Sequence, residues 1–226
     1  MRTPTLLFAW AAGVLLAGPP PEVRDVPDSS ENVFALVLTF EQDFSPPTLE
    51  QMQREVEYIL RPFGFQFQWR MGRNDRQDQI ANLLVSVRLR GKCAALEYRE
   101  LVDYSHSRTL GTTEVSEGQL LSYCAIDCDH VRQMIRPAVG DESFTQTQFL
   151  LGRALARVLT HELYHILAGT IKHCRRGVSK AVVTPEDLVE GVWQLEPEEV
   201  EAIRQKTLLP GMRPKPRPQA AGDGGR

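Results

Sequence analysis

A long run of residues in the second half of the sequence has the spacing of a buried helix, and it restricts the possible folds more than any other feature. The run extends from Thr145 to about Ala168 and stops before Gly169, a residue type that suits the end of a helix. Its apolar residues recur at helical spacing: Phe149, Leu150, Leu155, Val158, Leu159, Leu163, Ile166 and Leu167. The pattern predicts a long helix with one broad buried face, which the remaining elements must cover.

Other runs predict the elements that provide this cover. Val33 to Phe40 is continuously apolar, which is typical of a strand covered on both faces. A helix is predicted to begin after the turn Ser45-Pro-Pro-Thr48 and to end at Phe63-Gly64. Apolar and polar residues alternate in two further predicted strands, at 65–69 and 83–89, and two more strands are predicted around 108–115 and 120–126, joined by a Ser-Glu-Gly turn. Short helices are predicted near 127–135 and 184–190, and another is predicted to start at Glu196.

The order of strand, helix, several strands and long helix predicts the fold class. It is typical of an α/β protein of the α+β layer type. We expect a twisted mixed sheet of about four to five strands, packed on two main helices, of which the second is the long one.

Composition and the two ends predict the domain organisation. With 26 basic and 29 acidic residues the net charge is -3, so no basic surplus favours a nucleic-acid partner. Leu6 to Ala17 form an apolar run that follows one positive charge and precedes small residues and prolines, which is the layout of a signal peptide. The run is too short for a membrane span, which needs about 20 residues. We expect a signal peptide at 1–18, a linker at 19–31, one catalytic domain at 32–206 and a disordered tail at 207–226.

The four cysteines agree with a secreted, periplasmic or otherwise extracytoplasmic protein. Cys93, Cys124, Cys128 and Cys174 are an even number, and disulfides are common in oxidising compartments. Four cysteines allow three pairings, and the sequence does not choose among them. No second cysteine pair faces Cys124 and Cys128, so we expect disulfides rather than a zinc ribbon.

Inside the long helix lies the motif His161-Glu162-Leu163-Tyr164-His165. Histidines four residues apart on a helix share one face, so both imidazoles are able to bind one ion. The glutamate beside the first histidine is placed to reach a water molecule on that ion. This pattern predicts a zinc site in which His161 and His165 are ligands and Glu162 is the general base.

A zinc site of this kind needs a third protein ligand, with water in the fourth position. His173 is the first candidate, because it follows the helix-ending Gly169 where the chain is able to turn back. Glu186 and Glu190, on the next predicted helix, are the alternatives, although Glu186 also suits the first turn of a helix. His106 and His130 stand in polar, loop-like contexts and are expected on the surface.

The motif, the glycine and the third histidine resemble the metzincin clan of zinc peptidases, in the spacing His-Glu-x-x-His-x-x-x-Gly-x-x-x-His. Metzincins place Gly one residue and His two residues earlier, and they have a methionine-bearing turn beneath the metal. This chain has Gly177-Val178-Ser179-Lys180 where that turn is expected, so it resembles a divergent branch. The resemblance also implies that a peptide substrate lies along the strand at 108–115. A gluzincin, with Glu186 as third ligand, is the competing resemblance.

Together these features predict a secreted zinc metallopeptidase, an endopeptidase acting on a peptide or protein substrate. Its cofactor is Zn²⁺, and Glu162 handles the proton of the attacking water. An exported zinc-binding protein without catalytic activity, or an enzyme for a non-peptide amide, would carry the same residues. The sequence predicts no oligomeric state.

Overall fold

The computed structural model describes residues 33–72, 81–95 and 109–206. Within these ranges five strands form one mixed sheet in the order β2-β1-β3-β5-β4. The strands are β1 (Val33–Phe40), β2 (Gln66–Met71), β3 (Leu83–Arg90), β4 (Gly111–Ser116) and β5 (Gln119–Asp127). β1, β2, β3 and β5 are parallel, while β4 runs antiparallel to β5 and forms an edge of the sheet. The prediction of a mixed sheet in an α/β fold is confirmed.

β1 lies inside the sheet because its apolar run fits a position between two parallel neighbours. Phe34, Leu36 and Leu38 are fully buried on the face toward the helices. The prediction that both faces of β1 are covered is only partly right. Ala35 is buried on the second face, but Val37 and Thr39 on that face are partly exposed.

Two helices cover one face of the sheet. Helix α1 (Pro46–Leu60) has prolines in its first turn, where a missing N–H costs nothing, and it is followed by a 3₁₀ turn that ends at Gly64 in the left-handed conformation. The long helix α3 (Phe144–Ala168) begins at Ser143, whose hydroxyl accepts a hydrogen bond from Gln146 N, and ends at Gly169. The predicted bounds of α3 were therefore almost correct.

α1 and α3 approach closely at one point. A Cβ added to Gly152 on α3 would lie 2.5 Å from the carbonyl oxygen of Thr48 and 2.8 Å from Cβ of Gln51 on α1. Only glycine therefore fits at this crossing. The crossing therefore fixes the distance between α1 and α3, the helix that carries the histidine motif.

Helix α2 (Cys128–Val139) follows β5 directly and is capped by Asp127, which accepts a hydrogen bond from His130 N. Cys128 forms a disulfide with Cys93, in the loop after β3. Two bridges were possible, but Cys124 is a buried free thiol and Cys174 is an exposed one. All four cysteines lie within the described residues, and they form one disulfide.

Two short helices complete the described chain: α4 (Pro185–Val189) and α5 (Pro197–Lys206). α4 begins with a capping box, in which Thr184 and Asp187 each accept a hydrogen bond from the backbone N–H of the other. Burial alone would raise the pKa of Asp187, but hydrogen bonds from Lys180 and Thr184 and the charge of Lys180 outweigh it and hold the pKa below its usual value.

A buried arginine of α3 fixes the segment that follows α4. The guanidinium of Arg157 donates to the carbonyl oxygens of Asp187, Glu190 and Gly191 and forms an ion pair with Glu55. This places α4 alongside the histidine motif.

No helix in the described part of the chain is both long enough and apolar enough to cross a bilayer. The predicted signal peptide at 1–18, the linker at 19–31 and the tail at 207–226 lie outside the described residues. Those boundaries therefore stay predictions.

Candidate metal centre and active-site cleft

Three histidines meet at the end of α3. One nitrogen each from His161, His165 and His173 lies within 4.8 Å of the others. The helix sets His161 and His165 one turn apart, with their Nε2 atoms 3.1 Å from each other. After Gly169 the chain turns back, so that the His173 ring lies 5.2 Å from the His161 ring and 4.8 Å from the His165 ring, measured between centroids. The residues predicted as ligands are thus brought together.

Backbone carbonyls fix the rings of the two helical histidines. Nδ1 of His161 lies 2.8 Å from the carbonyl oxygen of Val178, and Nδ1 of His165 lies 2.7 Å from that of Thr170. A carbonyl oxygen only accepts hydrogen bonds, so each Nδ1 carries the proton and each Nε2 presents a lone pair. Two lone pairs that face each other at 3.1 Å repel unless a cation lies between the imidazoles and the third ring. The donor set therefore fits a metal ion.

The protonation state of these histidines also fits a metal site. Burial lowers the pKa of His161 to about 4, although the bond to Val178 acts in the opposite direction. Burial also lowers the pKa of His165. Both imidazoles are therefore neutral near pH 7, which is the form that binds metal ions.

Glu162 lies beside the histidines, between α3 and the edge strand β4. Its Oε2 accepts a hydrogen bond of 2.7 Å from the hydroxyl of Thr113. Its Oε1 has no hydrogen-bond partner in the described ranges. Burial raises the pKa of Glu162 to about 7, even though the bond from Thr113 favours the charged form. A carboxyl group with this pKa is able to take up and release a proton near neutral pH.

Gly111, the first residue of β4, permits this approach. A Cβ on Gly111 would lie 2.8 Å from Oε1 of Glu162 and 3.0 Å from Cγ1 of Val158. β4 is able to lie against the carboxylate because no side chain intervenes at this position.

The three histidines and Glu162 line a cleft of about 570 Å³. β4 and the residues before it form one wall, and the segment 180–183 with α4 forms the other. Apolar side chains line much of the rest, among them Met134, Leu188 and Trp193. Because β4 is an edge strand, its outer N–H and C=O groups face no neighbouring strand in the described sheet.

The remaining candidate residues lie elsewhere or play other parts. Glu186 and Glu190 are exposed at the two ends of α4 and do not join the group of three histidines. His130 was expected on the surface; it is partly exposed and also lines the cleft, with Nδ1 3.2 Å from the carbonyl oxygen of Thr109. The sequence did not predict its place in the cleft, because it does not show that the start of α2 lies beside the residues before β4. His106 lies outside the described residues.

Sequence reasoning also missed the residues that support the site. Thr113 contacts Glu162 across 49 positions, and Val178 contacts His161 across 17. The Val178 contact is made by a backbone carbonyl, which any residue type supplies, so no motif announces it. A strand was predicted around 108–115, but only the tertiary structure shows that this strand meets α3.

No family model matches the chain, and neither does any curated protein. Among solved structures, the crystal structure of archaemetzincin from Methanopyrus kandleri is similar over 80% of this chain and 97% of that one. The TM-score is 0.47 and the sequence identity is 12%. At this level of similarity the comparison supports no conclusion about activity, which has to be argued from the side chains of this chain.

Proposed function

We propose that this protein is a zinc-dependent metallopeptidase, an endopeptidase that acts on peptide or protein substrates. His161, His165 and His173 would hold the ion, and Glu162 would act as general base and then as general acid. The observation that carries the proposal is the 3.1 Å contact between two Nε2 atoms whose rings are fixed by carbonyl groups. Two neutral imidazoles fixed in this way repel each other unless a cation lies between them, and the third histidine completes the ligand set of a catalytic zinc site.

The donor set favours zinc over other common ions. Three neutral imidazoles suit zinc and other late first-row metals, whereas magnesium and calcium prefer oxygen ligands. Zinc with three protein ligands keeps an open position, where it activates water and polarises a carbonyl group.

Glu162 is held where it is able to transfer a proton. Thr113 fixes Oε2, and Oε1 has no partner among the described residues. We infer that Oε1 accepts a proton from the attacking water and then delivers it to the nitrogen of the leaving amine. The burial of the carboxyl group keeps bulk water from competing for this proton.

The edge strand β4 supplies a place for the substrate backbone. A peptide in extended conformation is able to add to this edge by main-chain hydrogen bonds, which are independent of the substrate's sequence. Its scissile bond would then lie near Glu162, since Gly111 and Thr113 of β4 both lie against that carboxylate.

The test compares the wild type with Glu162→Gln. Purified wild-type protein should contain one zinc ion per chain and cleave an unstructured protein such as casein. Glu162→Gln removes the proton acceptor but leaves the three imidazoles, so it should keep its zinc and lose activity by a factor of about 10²–10⁴. Glu142→Gln, an exposed change before α3 that does not line the cleft, is the matched control and should keep both.

Two results would contradict the proposal. If the folded wild type does not bind zinc, the metal site is wrong. If it binds zinc but cleaves no peptide or protein, the chain is a zinc-binding protein without peptidase activity.

We further propose that the protein is exported, with cleavage of its leader near Ala17 or Gly18. The Cys93–Cys128 disulfide supports this, because such bonds persist in oxidising compartments. Mass spectrometry of the protein recovered from outside the cytoplasm should show a new amino terminus near residue 18 or 19. Recovery of the uncleaved chain from the cytoplasm alone would contradict export.

A further inference from the structure

One turn of the chain contacts two of the elements that carry ligands. It consists of Gly177, Val178 and Ser179, and we call it the 177–179 turn. The carbonyl oxygen of Val178 lies 2.8 Å from Nδ1 of His161. The carbonyl oxygen of Ser179 accepts a 3.0 Å hydrogen bond from the backbone N–H of Cys174, the residue after His173. A shift of this turn would therefore move the ring of one ligand and the backbone beside another.

A buried carboxylate on α5 holds this turn. Glu199 is 0% exposed. Its Oε1 accepts a hydrogen bond from Ser179 N at 2.5 Å, and its Oε2 accepts one from Val178 N at 3.1 Å. Oε2 also accepts a bond of 2.8 Å from Glu196 N, just before α5 begins. Three backbone donors on one buried carboxylate explain how the charge is tolerated in the interior.

The turn is built to accept this carboxylate. Gly177 has a positive φ of 79°, and a Cβ at this position would lie 2.3 Å from Oε2 of Glu199. Glycine is therefore required both by the backbone conformation and by the close approach of the carboxylate. At the other end of α5, Lys206 Nζ donates a 2.8 Å hydrogen bond to the carbonyl oxygen of Gly169, where the ligand-bearing loop begins.

We propose that Glu199 is a positioning residue for the metal centre. The inference rests on the proposed zinc site. Glu199 binds no metal itself: it fixes the 177–179 turn, whose carbonyl groups orient His161 and anchor the chain beside His173. The imidazoles are then held in their binding geometry before zinc arrives, which lowers the ordering cost of binding.

Zinc affinity, measured by competition with a chelator, tests this proposal without reference to activity. Glu199→Gln keeps the size of the side chain but loses the charge and one acceptor oxygen, and its amide N–H₂ faces backbone donors. We expect zinc affinity to fall by about 10- to 100-fold, as is usual when a group that orients a ligand is removed. Glu198→Gln, an exposed change on the same helix, should leave zinc affinity unchanged.

A second comparison separates positioning from loss of stability. Ile203 is buried in the hydrophobic core on the same helix, and its apolar side chain makes no hydrogen bond to the 177–179 turn, so Ile203→Ala should destabilise α5 with Glu199 in place. We expect this variant to unfold at a lower temperature, with the zinc affinity of its folded form unchanged. In the metal-free protein, NMR should show a protected Nδ1–H on His161 in the wild type and in Ile203→Ala, and faster exchange of that proton in Glu199→Gln.

The outcomes distinguish the two proposals. A wild type that binds no zinc refutes the metal site itself. A wild type that binds zinc, with equal affinity in Glu199→Gln, refutes the positioning role, and so does an equal loss in Ile203→Ala. If Glu199→Gln does not fold, Glu199→Asp keeps the charge but shortens the reach by one methylene group, and unchanged zinc affinity in that variant would refute the role.

Discussion

Replacing Gly111 by alanine adds one methyl group between β4 and the carboxylate of Glu162. The new Cβ would lie 2.8 Å from Oε1 and 3.0 Å from Cγ of Glu162, and 3.0 Å from Cγ1 of Val158. An ordinary van der Waals contact begins at 3.4 Å, so the carboxylate and the strand must separate by up to 3.4 − 2.8 = 0.6 Å. None of the three histidines is among these nearest atoms.

This displacement predicts a specific pattern of loss. A catalytic group misplaced by about 1 Å costs about 100-fold in rate, so a shift of this size should lower kcat/KM on the order of tenfold. Crowding at a packed position costs about 1–3 kcal/mol of stability. Zinc affinity should stay at the wild-type value, because the ligands and their carbonyl partners are not displaced.

The assay measures cleavage of one peptide, zinc affinity and urea denaturation on the same preparation. Glu142→Ala, an exposed change outside β4 and the cleft, is the control and should be neutral in all three. If Gly111→Ala has wild-type kcat/KM, Glu162 does not act from the position seen here. If it loses zinc and activity together, the strand supports the whole site rather than the carboxylate.

Replacing Cys93 and Cys128 by serine removes a disulfide that closes a loop with a sequence separation of 35. The chain-entropy relation predicts that the free energy of unfolding falls by about 4 kcal/mol. Urea denaturation should show a decrease of that order, and a decrease below about 1 kcal/mol would contradict the prediction. Asp187 has a lowered pKa in the folded protein, so its contribution to stability is complete above the unfolded value of about 3.9 and is lost as the pH falls through the lower folded value. The difference in unfolding free energy between wild type and Asp187→Asn should therefore be constant above about pH 5 and shrink below about pH 4, and a constant difference at low pH would refute the assignment. In the folded protein iodoacetamide should modify the exposed Cys174 but not Cys124, whose pKa burial raises; equal labelling in mass spectrometry would show that Cys124 is accessible.

Local patterns predicted the elements that carry the chemistry. The bounds of α3 followed from the spacing of its apolar residues and from Gly169, because a helix repeats over a few residues and its ends depend on nearby residue types. The spacing of His161 and His165 fixed their shared face for the same reason. His173 was predicted as the third ligand from its place after Gly169, and it lies with the other two in the structure.

Contacts between distant segments were not accessible in this way. The sequence left the cysteine pairing open, since pairing depends on which loops meet, and it gave no sign that the surface residue His130 lines the cleft. It also gave no reason to single out Glu199, two of whose three partners are backbone N–H groups 20 and 21 residues away.

The sequence by itself thus determined the elements, the helical pair of imidazoles and the carboxylate between them, all of which depend on spacing within one helix. The tertiary structure alone decided which strand lies against Glu162, which carbonyl groups orient His161 and His165, and which buried acid holds the 177–179 turn. The physical reason is that backbone donors and acceptors are the same at every residue. Their use in the site therefore depends on how the layers pack, and the residue types that the packing requires, such as Gly111 and Gly177, can be interpreted only once the packing is known.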